Sequence, residues 1–472
     1  MKLSGKAKLS YALGAVGKDM VYMLSASYVL YYFQDLLGVN AIAMGIILMA
    51  ARVFDAFNDP IMGVIVAKTK TRWGKFRPWL LIGTLTNAVV LYLMFAAPPA
   101  LDGAGLVAYA AVTYILWGVT YTMMDIPYWS MIPAFTEGGK ERENLTTLAR
   151  TSAGVGSAII TIATMKLVPM LGRALGGVEG NAGEIVGFKY FSLLVAALFI
   201  LFTVLTCVNI KEKSTVEMKA VSVGQMFTAL VQNDQAMTVT IAIVLINCSI
   251  YITSNLVIFF FKYDFGGTGW NDAYMLFNMF GGAIQVLSMM VFYPLLRKKF
   301  TSLQIFYICL TMAIVGYAVL LALAFTNMSS VFLLFIPAFF IFAANGMLTV
   351  ITTVFLANTV DYGQLKNGRR DESVIFSMQT FVVKLASGVA ALVASICLSV
   401  NHLQAGTEVS EADKLVDWSA NVAAASKVGL RMTMTIIPII GLFVALFWFK
   451  KRFLLSDQYM ADVNRQLAEK NK

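Results

Sequence analysis

At 472 residues the chain has the length of about three soluble domains, yet 59% of it is apolar, only 13% is charged and its mean hydropathy is +0.74. Soluble proteins are roughly 45–50% apolar with glycine counted and about 25% charged, so the composition excludes them and defines an all-α polytopic membrane protein. A single histidine, His402, removes most imidazole catalysis and most zinc or haem sites. Cys207, Cys248, Cys309 and Cys397 each stand alone in an apolar run, which excludes a metal cluster or disulfide framework and leaves them as small hydrophobes.

A helix needs about 20 apolar residues to span a bilayer, because no water is there to satisfy its backbone. Twelve such runs are expected. In the first half they cover 10–36, 41–67, 78–98, 106–134, 149–171 and 188–210. In the second half they cover 236–261, 273–296, 302–325, 331–356, 373–399 and 429–449. The predicted organisation is a six-helix bundle over 1–210, a central loop over 211–235, a second six-helix bundle over 236–450 and a tail over 451–472. Within the central loop, VGQMFTALVQ has apolar residues at helical spacing and reads as an interfacial amphipathic helix. The Gly-rich stretch 172–183 and the polar stretch 400–425 read as large loops on the opposite side. No small-residue cleavage site follows the first apolar run, so no signal peptide is expected.

The formal charge of +10 is placed, not spread. Lys2, Lys6 and Lys8 precede the first span, and KTKTRWGKFRP after the second carries Lys68, Lys70, Arg72, Lys75 and Arg77. KEKSTVEMK, RKKF and KNGRR follow later even-numbered spans, whereas LLGVN, PPALDGAG and FTNMSS have no Lys or Arg. By the positive-inside rule both termini face the cytoplasm, and membrane lipid rather than nucleic acid is the partner of this charge.

Ionisable residues inside spans carry most of the information. Lys18 and Asp19 lie in span 1, Arg52, Asp55 and Asp59 in span 2, Asp125 in span 4, Arg150 at the start of span 5 and Lys384 in span 11. Each costs about 3 kcal/mol at a helix centre, so such groups face water, a cation or one another. Asp55, Asn58 and Asp59 share one helix face and offer hard oxygens that suit an alkali cation. On span 4, Tyr121, Thr122, Asp125 and Trp129 repeat the helical spacing, with Pro127 available to loosen the helix. A carboxylate beside a flat indole suits the hydroxyls and apolar face of a sugar. Structural ion pairing, with Lys18 or Arg52 locking the bundle, is the competing reading. Lys384 reads as a counter-charge in a half whose spans 7, 8 and 9 hold no charge. TRWGKFRP and DYGQLKNGRRDES, with Arg72, Lys75, Asp361, Arg369 and Arg370, read either as an inner-face latch or as positive-inside anchors.

Six segments in this order, LSYALGAVGKDM, ARVFDAFNDPIMG, TRWGKFRPW, VTYILWGVTYTMMDIPYWS, VDYG and ESVIFSMQTFVVK, cover nearly the whole chain. Together they resemble the glycoside–pentoside–hexuronide:cation symporters of the major facilitator superfamily, with spans 2 and 4 most similar to the melibiose carriers. The resemblance implies the major facilitator fold, two six-helix bundles around a central cavity that opens alternately to either side. It implies a cation site at Asp55, Asn58, Asp59 and Thr122. It implies a sugar site at Lys18, Asp19, Tyr121, Asp125, Trp129 and Arg150, with Lys384, Gln379 and Thr380 from span 11. Three positions depart from the melibiose carriers: Thr349 stands for a tryptophan, Asn358 for an acid and Ala26 for a tyrosine.

The expected function is sodium-driven uptake of a galactoside or related oligosaccharide across a bacterial inner membrane, by a protein that works as a monomer. Sodium is the coupling ion and there is no other cofactor, with lithium or a proton as alternatives. A proton-coupled glucuronide or pentoside carrier is the rival within the class. A non-transporting receptor would need soluble signalling segments, and an intramembrane enzyme a nucleophile–base pair.

Overall fold

The computed structural model describes residues 3–470 except 137–138, 213–227, 229, 327, 329, 369 and 404–416. The expected interfacial helix over 223–232 therefore falls largely outside the described residues, as does Arg369. Among the described residues the only regular structure is helical. The first half holds α1 (Gly5–Leu30), α2 (Ala41–Lys68), α3 (Arg77–Met94), α4 (Gly103–Phe135), α5 (Gly139–Leu171) and α6 (Gly180–Asn209). The second holds α7 (Asp234–Phe260), α8 (Trp270–Leu287), α9 (Ser302–Thr326), α10 (Val331–Asn367), α11 (Glu372–Val400), α12 (Ala424–Arg452) and α13 (Asp457–Lys470). Nine helices among the described residues are long and apolar enough to cross a membrane, or ten if the bent pair Gly139–Thr164 and Lys166–Gly176 is one span.

Helix limits depart from hydropathy where charge is paired. Span 5, expected from 149, begins at Gly139, and span 10, expected to end at 356, continues to Asn367. Both extensions look like polar loop in sequence, but Arg142 and Asp361 within them form a 2.6 Å ion pair that is almost wholly buried. The stretch 172–183 is also tighter than the large loop expected. It holds a π-helical turn, Gly172–Gly176, and α6 already starts at Gly180. A Cβ on Gly172 would lie 1.9 Å from the Gly183 carbonyl oxygen, so glycine is what lets the two segments touch.

The chain divides into two compact units. One comprises Met1–Asn233 with Ala357–Phe381 and Asp462–Lys472, the other Asp234–Leu356 with Val382–Ala461. In the first unit α1 packs along α5 and α6, α3 along α4 and α6, and α2 along α4. Small residues permit these approaches, as they do in membrane bundles where hydrophobic driving force between helices is absent. A Cβ on Gly156 would sit 2.3 Å from the Val16 carbonyl oxygen, and one on Gly83 2.8 Å from the Met124 nitrogen. Tyr11 and Tyr128 rivet α1 to α4: their rings stack at 4.4 Å, and each hydroxyl donates to the other's backbone carbonyl at 2.5 and 2.6 Å.

In the second unit α12 packs along α7 and α9. Phe306, Phe355, Phe449 and Phe453 form an aromatic core with centroids 4.2–5.7 Å apart. At the end of α7, Asp264 accepts two 2.7 Å hydrogen bonds from the Arg431 guanidinium of α12. The four cysteines are free thiols.

Candidate functional site

The first unit brings the intramembrane charges of spans 1, 4 and 5 together. Lys18 Nζ lies 2.8 Å from Asp125 Oδ1 and 3.1 Å from Asp19 Oδ2, and it donates to the Tyr121 hydroxyl at 3.0 Å. Trp129 Nε1 donates to the same Asp125 oxygen at 3.1 Å. The Arg150 guanidinium from α5 stacks over the Trp129 ring, 3.7 Å from its centroid. All six residues expected at the sugar site in spans 1, 4 and 5 are thus one connected cluster. One ammonium serves two carboxylates, and Asp19 Oδ2, off the hydrogen-bond direction of Nζ, is a buried acceptor without a hydrogen bond. A bound polyol supplies hydroxyl donors of the kind such an acceptor lacks.

Behind this cluster lies the span 2 set. Thr122 Oγ1 donates to Asp59 Oδ1 at 3.0 Å, and Asp59 is fully buried. Asp55 Oδ1 rests against Gly118, where a Cβ would come within 2.5 Å of it. Asp55 and Asp59 are one helical turn apart, as are Gly118 and Thr122, so α2 and α4 run in parallel register with a constant offset of 63 residues. The Asn58 amide nitrogen is buried with no hydrogen-bond partner. Two carboxylates, an amide and a hydroxyl make an oxygen-rich set matched to a hard monovalent cation. The side chain of Arg52 is outside the described residues.

The two sets meet on α4. Tyr121 and Thr122 are consecutive, about 100° apart around the helix. Tyr121 reaches Lys18 while Thr122 reaches Asp59. α4 stays one continuous helix through Pro127 and Pro133, so the expected loosening at Pro127 does not break it. Of the span 11 residues, Gln379 and Thr380 lie in the part of α11 that belongs to the first unit, and Lys384 lies beyond it in the second.

A third cluster sits at the end of the first unit that carries the basic segment after α2. Arg142, 1% exposed, donates to Asp361 Oδ2 at 2.6 Å, Asn358 Oδ1 at 3.2 Å, the Ala357 carbonyl at 3.2 Å and Thr136. Arg370 takes the other Asp361 oxygen at 2.8 Å, Gln364 at 2.7 Å, Glu372 at 2.5 Å and the Pro133 carbonyl. Burial alone would lower the Arg370 pKa, but Glu372 and Asp361 outweigh it and hold the guanidinium above its usual value. Lys75 Nζ reaches Glu372 at 3.5 Å, while Arg72 is exposed. Asn358, the neutral residue in place of an acid, still accepts from Arg142 and so keeps the hydrogen bond without the charge.

Sequence reasoning missed Arg142, Glu372 and Glu212. The Glu212 carboxylate, 4% exposed, accepts from the backbone N–H groups of Lys75, Phe76 and Arg77 at 2.6, 3.0 and 2.9 Å. It caps α3 from a segment read as loop, using the exposed amides that make a helix start an anion site. A signal existed for Arg142 in the helix-favouring run KEREN, but none for Glu212, whose partners are backbone atoms 135–137 residues away.

The helical bundle with intramembrane charge clusters defines a multi-pass membrane protein of the major facilitator class. It superposes on the solved structure of a proton:xylose symporter, XylE, bound to 6-bromo-6-deoxy-D-glucose, with a TM-score of 0.64 over 96% of both chains at 14% identity. Residues 10–454 match the MFS/sugar transport protein family, and the chain belongs to it, a family of transporters and not of enzymes. The chain is similar to a lactose permease of Lactobacillus delbrueckii subsp. bulgaricus, 25% identical over 99% of this chain and 73% of the permease. It is similarly close to a raffinose carrier protein of Pediococcus pentosaceus, 25% identical over 98% of this chain and 71% of the carrier.

Proposed function

We propose that the protein is a cation-coupled sugar symporter, with sodium as the coupling ion and a galactoside or related oligosaccharide as substrate. The observation that carries this reading is that the two sets meet α4 at adjacent residues, Tyr121 bonded to Lys18 and Thr122 to Asp59. Asp125, Asp19, Tyr121 and Trp129 hold the sugar, Lys18 and Arg150 position those groups, and Gln379 and Thr380 join from the part of α11 in the same unit. Asp55, Asn58, Asp59 and Thr122 hold the cation. A cation drawn between Asp55 and Asp59 fixes Thr122, and with it the rotation of α4 that aims Tyr121 and Asp125. Binding of either solute then tightens the other, as linkage requires.

In this reading α1 and α2 also span, which gives twelve helices, with both termini in the cytoplasm of a bacterial inner membrane and a monomer sufficient for transport. The Arg142–Asp361–Arg370–Glu372 cluster, with Lys75, latches the cytoplasmic ends of α10 and α11 to the first-half helices, and its release opens the path inward. One sodium charge moving inward gains about 2.3 kcal/mol per 100 mV.

The test is sugar binding and uptake in proteoliposomes with sodium, lithium or neither at fixed pH, for wild type and Asn58→Ala. Sodium is expected to tighten sugar binding in the wild type and to lose that effect in Asn58→Ala. A proton needs only a carboxylate, so proton-driven uptake should survive the substitution. Equal wild-type binding with and without sodium would reject sodium coupling. Uptake driven by a pH gradient with no stimulation of wild-type binding or uptake by sodium would establish the proton-coupled rival.

A further inference from the structure

α1 presents Lys18, Tyr22 and Ala26 one turn apart on the same face. Lys18 is spent inside the cluster. Tyr22 is different: it is 37% exposed, yet its ring lies 5.5 Å from Tyr121 at 42° and 6.2 Å from Trp117 at 35°. A tyrosine directed straight away from the bundle would contact no ring on a second helix. These contacts instead hold Tyr22 on the side of α1 that faces α4, beside the Lys18–Tyr121 bond.

Along α4 the rings continue one turn apart. Trp117 stacks on Tyr121 at 5.2 Å and 22°, and Tyr114 stacks on Trp117 at 6.0 Å and 14°. Trp117 is only 5% exposed, so it backs this wall, and the ring offered to solutes is that of Tyr22. Ala26, exposed on the next turn, adds only a methyl group and leaves the approach to Tyr22 unobstructed on α1.

A pyranose has a polar rim and an apolar C–H face. The Lys18–Asp125 cluster satisfies rims; an exposed aromatic ring adjoining it satisfies a face. We infer that Tyr22, backed by Tyr121 and Trp117, is a second sugar subsite. It stacks on the ring next to the one whose hydroxyls Asp19 and Asp125 hold, and it makes the protein prefer oligosaccharides to monosaccharides. The inference rests on the sugar-transport reading above and adds to it the length of the substrate.

The experiment compares lactose, raffinose and galactose binding to the full-length protein in lipid nanodiscs, for wild type, Tyr22→Leu and Tyr22→Phe, with thermal melting of each. Wild type is expected to bind lactose and raffinose more tightly than galactose. Tyr22→Leu should weaken lactose and raffinose by about three- to tenfold while leaving galactose unchanged. Tyr22→Phe, which keeps the ring, should bind all three as wild type does. Unchanged lactose affinity in Tyr22→Leu overturns the subsite. So does an equal loss for galactose, which marks a structural role, or a wild type that binds lactose no more tightly than galactose. A wild type that binds none of the three rejects the sugar reading itself, an outcome distinct from the others. If Tyr22→Leu melts early, its lactose-to-galactose affinity ratio is read below its melting transition, and a ratio equal to that of wild type overturns the subsite.

Discussion

The two charge clusters of the first unit use the same residue types to opposite ends. Around Lys18, one ammonium faces two carboxylates, and a buried Asp19 oxygen has no hydrogen bond. Around Asp361, both carboxylate oxygens are taken by separate guanidiniums at 2.6 and 2.8 Å, and Glu372 is met by Arg370 and Lys75. The first cluster leaves one buried carboxylate oxygen without a hydrogen bond and suits a ligand that brings hydroxyls. The second is closed, and a closed buried network gains little from solutes but resists being pulled apart. What separates the two clusters is whether each buried carboxylate oxygen has a hydrogen bond, not the kind of side chain.

Breaking the closed cluster should have the largest effect on the protein itself. Arg142→Gln leaves Asp361 buried with one partner fewer and is expected to cost about 3–5 kcal/mol, read as a lowered melting temperature in detergent. Adding Asp361→Asn should restore part of that loss, and strictly additive losses would deny the pairing. The open cluster should respond in binding instead. Asp125→Asn, which keeps shape but removes charge, should lower sugar affinity by about ten- to a hundredfold or more by calorimetry, with melting little changed. Unchanged affinity would remove Asp125 from the site. Glu212→Gln should act least, since its one oxygen still accepts from Phe76 and Arg77 and only the Lys75 bond is lost. About 1 kcal/mol of cap strength is at stake, visible as a small drop in melting temperature and no change in sugar affinity.

The helices were legible from local rules, and the Lys18 cluster from those rules together with the family resemblance. An apolar run must be helical in lipid, and a charge within it must find a partner. Lys18, Asp19 and Asp125 are charges inside apolar spans that must find partners, and the resemblance groups them with Trp129. The closed cluster was half legible. Asp361, Arg370 and Lys75 were marked, but Arg142 and Glu372 sit at helix starts where charge ordinarily meets water, and only tertiary contacts show them buried at 1% and 2% exposure. Tyr22 left no trace, since a tyrosine in an apolar helix reads as lipid-facing or core until its neighbours on another helix are seen. Glu212 was hidden because backbone amides carry no sequence signature.

The Lys18–Tyr121 bond also sets a timetable. Its partners are 103 residues apart, and at about 5–20 residues per second α4 is made roughly 5–20 s after α1. During that interval the ribosome has delivered a helix with a lysine near its middle and no Asp125, Tyr121 or Trp129 to receive it. Asp19, next in sequence and 3.1 Å from Nζ in the finished fold, is available from the start. The adjacent acid therefore serves twice, as part of the completed cluster and as the escort that balances the charge at the middle of α1 while the nascent chain catches up.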